Sequence, residues 1–305
     1  MAVKFNEKNH PYVELVEGSE FRICLNRMVY EIDRQERLHM EIPEETANAL
    51  AELRRLVQER KNLNLTVDQS NWLAMVFLQC YNNDVQRTFR LMDFSFRLLY
   101  KDRDYSKPYG QVRQVFEEGL IRYLPEYDDD GTVIVVVEMG RRWNTSKISL
   151  AEFISAIRLS GIAIMLNPDA QRNGCKVIFD VDGLTMGQIS HFTPKSSSFL
   201  FDLIEKCTPI SMKGMHTVNN GLMYNVLFAI LKPFMSKELR ESTFIHGKNW
   251  KSLGKYINAG ILPAKYGGTS KAPEADGKRL GELLQHYNEY FVEYDSYGYT
   301  GNPDA

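Results

Sequence analysis

The side chains that most often do chemistry are all present in this chain, but few of them stand in a working arrangement. Six histidines are scattered along it, His10, His39, His191, His216, His246 and His286. None forms the HxxxH or HExxH spacing that puts two imidazoles on one helix face for a metal. His216, set in an apolar run, reads as a hydrogen-bonded core residue. The four cysteines, Cys24, Cys80, Cys175 and Cys207, are far apart, so neither a zinc cluster nor a disulfide framework is expected. No Gly-x-Ser-x-Gly elbow, Walker loop or Gly-x-Gly-x-x-Gly fingerprint occurs. One acidic pair is better placed: Asp180 and Asp182 close the run Lys176-Val177-Ile178-Phe179 and precede Gly183. Carboxylates at such a strand end commonly cap the N–H groups of the following turn. Without a standard catalytic constellation the chain reads as a binding protein, not an enzyme, with no metal and no cofactor.

A different arrangement is apolar. In the stretch from Gly221 to Met235 the only polar side chains before Lys232 are Tyr224 and Asn225. As a helix it would be apolar all round, hence buried or in contact with lipid, and it is too short to span a bilayer. Two readings stay open. It is a central core helix, or it is a lid whose inner face covers an apolar ligand while its outer face touches a membrane. Lys232, Lys237 and Arg240 near its far end would meet anionic head groups in the second reading; in the first they complement the helix dipole.

These residues need elements to position them. The 305 residues are 44% hydrophobic and 25% charged, enough for a substantial core. A net charge of -2 argues against a general nucleic-acid binder. The first ten residues lack the apolar core of a secretory signal, and no run is long enough to cross a membrane, so a cytoplasmic protein is expected. Residues 1–43 form a weakly patterned extension with a charged stretch at Asp33 to Arg37. A three-helix module is expected over 44–105. Its helices are Glu44 to Arg60, with Ala47, Leu50, Leu53 and Val57 in one stripe, then Val67 to Tyr81, then a helix capped by Asp84. From 106 to 270 strands alternate with helices, the pattern of an α/β sheet covered by helices. Thr132 to Met139 and Lys176 to Val181 read as interior strands, and Met215 to Asn219 and Thr243 to His246 as short ones. Helices are expected at Val112 to Tyr123, Leu150 to Leu166 and Pro194 to Lys206. Residues 271–305 hold one helix, about Gly277 to Val292, and a tail expected to fray.

Two resemblances bear on function. The string Val177-Ile178-Phe179-Asp180-Val181-Asp182-Gly183 resembles the first motif of the haloacid-dehalogenase phosphatases, in which the first carboxylate is the nucleophile and the second a general acid. Leu184 stands where that family has threonine, and no downstream acidic pair offers a magnesium site.

The broader resemblance is to the CRAL-TRIO (Sec14-like) lipid-binding family, in its α-tocopherol transfer protein and clavesin branch. It rests on Gln171 to Gly183, on Lys213-Gly214-Met215-His216-Thr217-Val218-Asn219 with the apolar helix ending Lys232-Pro233-Phe234, and on Ile261-Leu262-Pro263-Ala264-Lys265-Tyr266-Gly267-Gly268. It implies an α/β fold: an N-terminal three-helix module, then an αβα lipid-binding domain with a mobile gate helix. The implied ligand contacts are Ile154, Ile157 and Gly161 on the first wall helix, and Phe179 and Leu184 on and after a strand. They continue with Leu200, Leu203 and Ile204 on the next helix, Met212 and Met215 on the next strand, and Leu222, Val226 and Leu227 on the gate. The implied function is intracellular binding and transfer of a small hydrophobic lipid that is tocopherol-, retinoid- or carotenoid-like. A transient membrane surface, phosphoinositide-containing membranes included, is the implied partner, with Lys213, Lys237 and Arg240 facing head groups. The branch's small hydroxyl residues on the first wall helix are replaced by Ile157 and Gly161. Several of its basic positions are replaced by Val76, Gln79, Tyr81, Ser211, Glu238 and Ser242. A phosphoinositide-sensing trafficking adaptor is the alternative that this branch also allows.

Overall fold

Ahead of the helices, where the sequence is weakly patterned, three short strands form an antiparallel sheet in the order β1 (Val3–Phe5), β2 (Pro11–Glu14) and β3 (Arg22–Cys24). The computed structural model describes residues 3–7, 9–24, 38–274 and 277–304; the charged stretch Asp33 to Arg37 lies outside them. The strands escape a pattern search because each has only three or four residues. They gain their burial from the C-terminal helix Gly277–His286, which packs against β1 and β2.

The helical module follows. In α1 (Glu44–Gln58) the buried stripe is Thr46, Ala49, Leu50, Leu53 and Val57; Ala47, expected in it, faces solvent. Strand β4 (Leu63–Asn64) leads to α2 (Trp72–Cys80), whose residues from Trp72 to Leu78 are all buried. Helix α3 (Val85–Lys101) is capped as expected: the Asp84 side chain accepts a hydrogen bond from the Arg87 N–H at 2.9 Å.

The expected helix Val112 to Tyr123 is two elements. Helix α4 (Tyr109–Glu117) stops because Gly119 adopts φ 72°, and Leu120 N–H returns to Val115 C=O at 3.1 Å while Gly119 N–H bonds Phe116 C=O at 2.9 Å. This pair of bonds is a Schellman stop. The freed chain becomes β5 (Ile121–Tyr123), the antiparallel edge of the main sheet. The four strands that follow are parallel to one another: β6 (Val133–Glu138), β7 (Cys175–Asp180), β8 (Met212–Val218) and β9 (Thr243–Gly247), in that order. The crossovers are α5 (Leu150–Met165), α6 (Pro194–Lys206) and α7 (Leu222–Leu231). Each of the first two starts on a capping box, Ser149 with Glu152 and Thr193 with Ser196.

Register sorts the strand residues by parity. Val135, Val177 and Met215 are aligned neighbours on one face, beside the pair Val137 and Phe179. Ile134, Val136, Ile178 and Val218 point the other way, into a second core made with Leu253, Ile257, Ile261, Leu262 and Tyr266.

The C-terminal helix expected from Gly277 to Val292 divides at Tyr287 into α8 (Gly277–His286) and α9 (Asn288–Ser296). The tail beyond it is docked, not frayed. β10 (Gly298–Tyr299) pairs antiparallel with β4, Tyr299 is buried, and Arg97 donates to the Pro303 carbonyl at 3.1 Å and pairs with Asp93 at 2.8 Å. Its Tyr and Gly content looks like a loose end, but long-range pairing with a two-residue strand 235 positions upstream lies outside any local pattern.

Candidate functional site

The face of the sheet that carries Val135, Val177, Phe179 and Met215 does not meet a packed layer. It borders an apolar cavity of about 170 Å³, set within about 1350 Å³ of atom-free space that includes its opening. Helix α5 forms one wall through Ile154, Ile157 and Gly161, and α6 another through Leu200, Leu203 and Ile204. Strand β8 adds Met212 and Met215 to the floor beside Phe179. These are nine of the expected ligand-contact residues, brought together around one space.

The other four lie elsewhere. Leu184 is buried outside the lining, in the turn after β7. On α7 the helical phase differs from the expected one. Leu222 is 80% exposed and Val226 38% exposed, on the outer side, and Leu227 is fully buried away from the cavity. The residues that close the cavity are Tyr224, Phe228 and Leu231, followed by Met235 and Leu239. The steps of four and three from Tyr224 through Phe228 to Leu231 are one face of α7, so that signal was in the sequence. In a segment apolar all round, however, periodicity could not say which face turns inward.

Wall helix α5 is held by its one cation. Arg158 is buried and pairs with Asp295 of α9 at 2.6 Å, so the C-terminal helices fix the cavity wall. Beside it, Gln188 donates to the Gly140 carbonyl at 2.7 Å and the Trp143 carbonyl at 2.9 Å, tying the turn after β7 to the segment after β6.

Polar groups in the lining are few and mostly committed. Ser160 bonds the Tyr123 hydroxyl, and the Tyr224 hydroxyl bonds Thr217 at 3.1 Å. Burial pushes the Cys175 thiol up to about 12, which keeps it neutral and unreactive. Thr208 is different: no hydrogen bond among the described residues engages its hydroxyl, which lies 3.1 Å from where a Cβ on Gly161 would stand. Sequence reasoning noted Gly161 as a lost polar position and missed Thr208, because the glycine's notch is filled from 47 positions downstream.

The carboxylates at the end of β7 serve the fold. Asp180 is buried on the face away from the cavity. It accepts the Tyr266 hydroxyl at 2.9 Å, the Asn219 amide at 3.0 Å and the Asp182 N–H at 3.0 Å. Asp182 pairs with Arg141 at 2.6 Å. This is the local capping expected at this strand end for Asp180, and both of its oxygens are engaged in hydrogen bonds. Among the described residues no group of three metal-ligating side chains converges.

His216 meets the expectation of a bonded core residue: its Nδ1 is 3.1 Å from Nε2 of His246, which in turn contacts the Ser252 hydroxyl at 2.9 Å. Burial, then the neighbouring imidazole, pulls His216 down to about 4.

Lys213, at the start of β8, is exposed. Lys237 and Arg240 are exposed on the short helix Lys237–Glu241 that runs into β9. Because β8 and β9 are parallel, the three cations lie at the same end of the sheet. Val76 is fully buried in α2 and belongs to no surface. No helix among the described residues is long and apolar enough to cross a membrane.

Comparison with known proteins adds to this geometry. Residues 117–268 match the family model described as the CRAL/TRIO domain. The chain is 28% identical to a human protein named alpha-tocopherol transfer protein-like over 256 residues, 83% of this chain and 73% of that one. It is 28% identical to rat clavesin-2 over 269 residues, 86% of this chain and 81% of that one. A solved structure titled "Crystal structure of Sfh5" superposes with a TM-score of 0.49 at 13% identity, covering 82% of this chain and all of that one.

Proposed function

We propose, from the premise that residues 117–268 of this chain are a CRAL/TRIO domain, that the protein binds a small hydrophobic lipid in the cavity beneath α7 and transfers it between membranes. The observation that carries this reading is the void itself. An empty apolar space of about 170 Å³ costs ~4 kcal/mol of packing at roughly 24 cal/mol per Å³. A chain that folds around such a space recovers that energy when an apolar ligand fills it, at roughly 0.8 kcal/mol per CH₂ removed from water. The lining supports a ligand with a flat or branched hydrocarbon body, given the rings of Phe179, Phe201 and Phe228 and the adaptable side chains of Met212 and Met215. Thr208 supports one polar end, placed against Gly161. A tocopherol-, retinoid- or carotenoid-like molecule has this form. The name of the human relative agrees with the first of these.

Exchange requires α7 to move. Its outer side presents Leu222 and Val226 to solvent, with Met186 nearby on the segment Met186–Ile189 that contacts α7. Lys213, Lys237 and Arg240 offer cations for anionic head groups. We read residues 44–105 and 106–270 as the supporting module and the binding domain, in the cytoplasm, with a transient membrane surface as partner.

The decisive experiment is native mass spectrometry with organic extraction of the purified chain. A bound lipid of terpenoid type, lost on extraction and restoring thermal stability when added back, is the expected result. A chain that carries no lipid and gains no stability from tocopherol, retinol or a carotenoid ends the proposal. Transfer between vesicles should slow several-fold in Leu222→Asp with Val226→Asp, since both lie on the outer side, while equilibrium binding stays unchanged. Phe228 and Leu231 face the cavity, so their substitution reports on binding.

A further inference from the structure

A second void lies against the opposite face of the sheet, at its β5 edge, with about 730 Å³ of atom-free space including its opening. Tyr266, Pro125, Pro263 and Pro273 form its walls, and Arg122, Lys265 and Glu274 bring charge into it. It shares no lining residue with the lipid cavity.

Three cations share two carboxylates there. Arg122 pairs with both Glu138 and Glu274. Arg142 reaches Glu138 at 3.1 Å and Glu274 at 2.9 Å, and Lys265 reaches them at 2.9 Å and 3.0 Å. All three cations converge on one atom of Glu274, Oε1. The two acids are held differently. Glu138 belongs to β6 and is largely covered, whereas the Glu274 side chain is 52% exposed on a segment without regular structure. Arg122 has 7% of its side chain exposed, and its Nε has no hydrogen-bond partner among the described residues. Asp180, which accepts the Tyr266 hydroxyl, is already engaged by three hydrogen bonds.

We propose that this void is a binding site for a phosphate monoester, and that Glu274 is a tethered stand-in for its phosphoryl group. A carboxylate presents two oxygens, and here a single one receives all three cations. A phosphoryl group presents three terminal oxygens, one for each of Arg122, Arg142 and Lys265, and such charge-assisted bonds are the strong class. Release of Glu274 breaks three ion pairs, a cost offset by hydration of its half-exposed carboxylate and by the three bonds to the phosphoryl group that replace it; Glu138 stays to orient the cations. The organic part of the ester packs on the proline and tyrosine walls. Although burial acts to raise it, Arg122 and Lys265 bring Glu274 down to about 2, so the stand-in is an anion throughout the physiological range.

The test is calorimetry on the full chain with inorganic phosphate, with glycerol 3-phosphate, and with phosphatidylcholine vesicles with or without phosphatidate. Glu274→Gln removes the competitor and should bind inorganic phosphate about tenfold more tightly than the natural chain, the equivalent of ~1.4 kcal/mol. Lys265→Met should weaken it. Heat with glycerol 3-phosphate and none with vesicles identifies a soluble ester; binding only to phosphatidate vesicles identifies a lipid head group. Glu274→Gln leaves three cations on one acid, so its melting temperature should fall and be restored by phosphate. A Glu274→Gln chain that gains no phosphate affinity, or whose lost stability phosphate does not restore, overturns the proposal. Lipid retained in the other cavity, read by native mass spectrometry on the same samples, is independent of either outcome.

Discussion

The two faces of one five-stranded sheet differ in what they rest on. Away from the void at the β5 edge, the even-numbered Ile134 of β6 and Ile178 of β7 press into a solid layer with Leu253, Ile257 and Leu262. On the same strands the odd-numbered Val135, Val137, Val177 and Phe179 border empty space. The side-chain types are alike, so composition did not make one face hollow. The solid face is tied by polar pairs that reach the strands themselves: Asp180 to Tyr266 and Asn219, Lys176 to Asp130 at 2.8 Å and to the Tyr256 carbonyl at 3.0 Å, His216 to His246. Rigidity is invested on one side, and the other is left free to change its contents.

Neighbouring truncations should expose this difference most strongly. Ile178→Ala on the solid face should cost ~2–5 kcal/mol in chemical denaturation, because it opens a hole in a packed layer. Phe179→Ala, one residue along, should cost only about 1–2 kcal/mol, the transfer term of a ring that already borders a void. Equal costs would break the comparison.

A second distinction is pH. Burial holds His216 near 4 against an ordinary value of 6.5, and lowers His246. Between those values the unfolded chain binds more protons than the folded one. Stability is therefore full above about pH 6.5 and falls as pH drops toward 4. The loss should be on the order of 2–3 kcal/mol, and its onset between pH 7 and 5 precedes carboxylate titration. His216→Gln should flatten that part of the profile, while lipid occupancy at pH 7 stays unchanged.

The smallest effect on stability should come from filling the void. Ile157→Phe should move the folding free energy by less than about 1 kcal/mol while lipid uptake drops, whereas Leu262→Phe on the solid face should cost ~1–3 kcal/mol through overpacking. Measuring uptake and denaturation on both variants sharpens the contrast between a fillable face and a filled one.

Much of this molecule was legible in its residues. The β-branched runs gave β6 and β7, the apolar helices α5 and α6 were found within a residue of their ends, and nine lining residues followed from the resemblance. The elements that were missed share a cause. β1 to β3, β5 and β10 are short strands whose partners are supplied by distant chain or by an adjacent turn, so no local period marks them.

The sequence by itself determined which segments are apolar, and therefore which elements must leave water and that they surround a common interior. Only the tertiary structure decided where that interior is hollow, which side of α7 closes it, and that Thr208 fills the notch at Gly161. The physical reason is that burial is a property of a residue type, readable one position at a time, whereas a void is a property of the distances between elements. Those distances are fixed by anchors such as Arg158 with Asp295 and Asp180 with Tyr266, whose partners lie 137 and 86 positions apart.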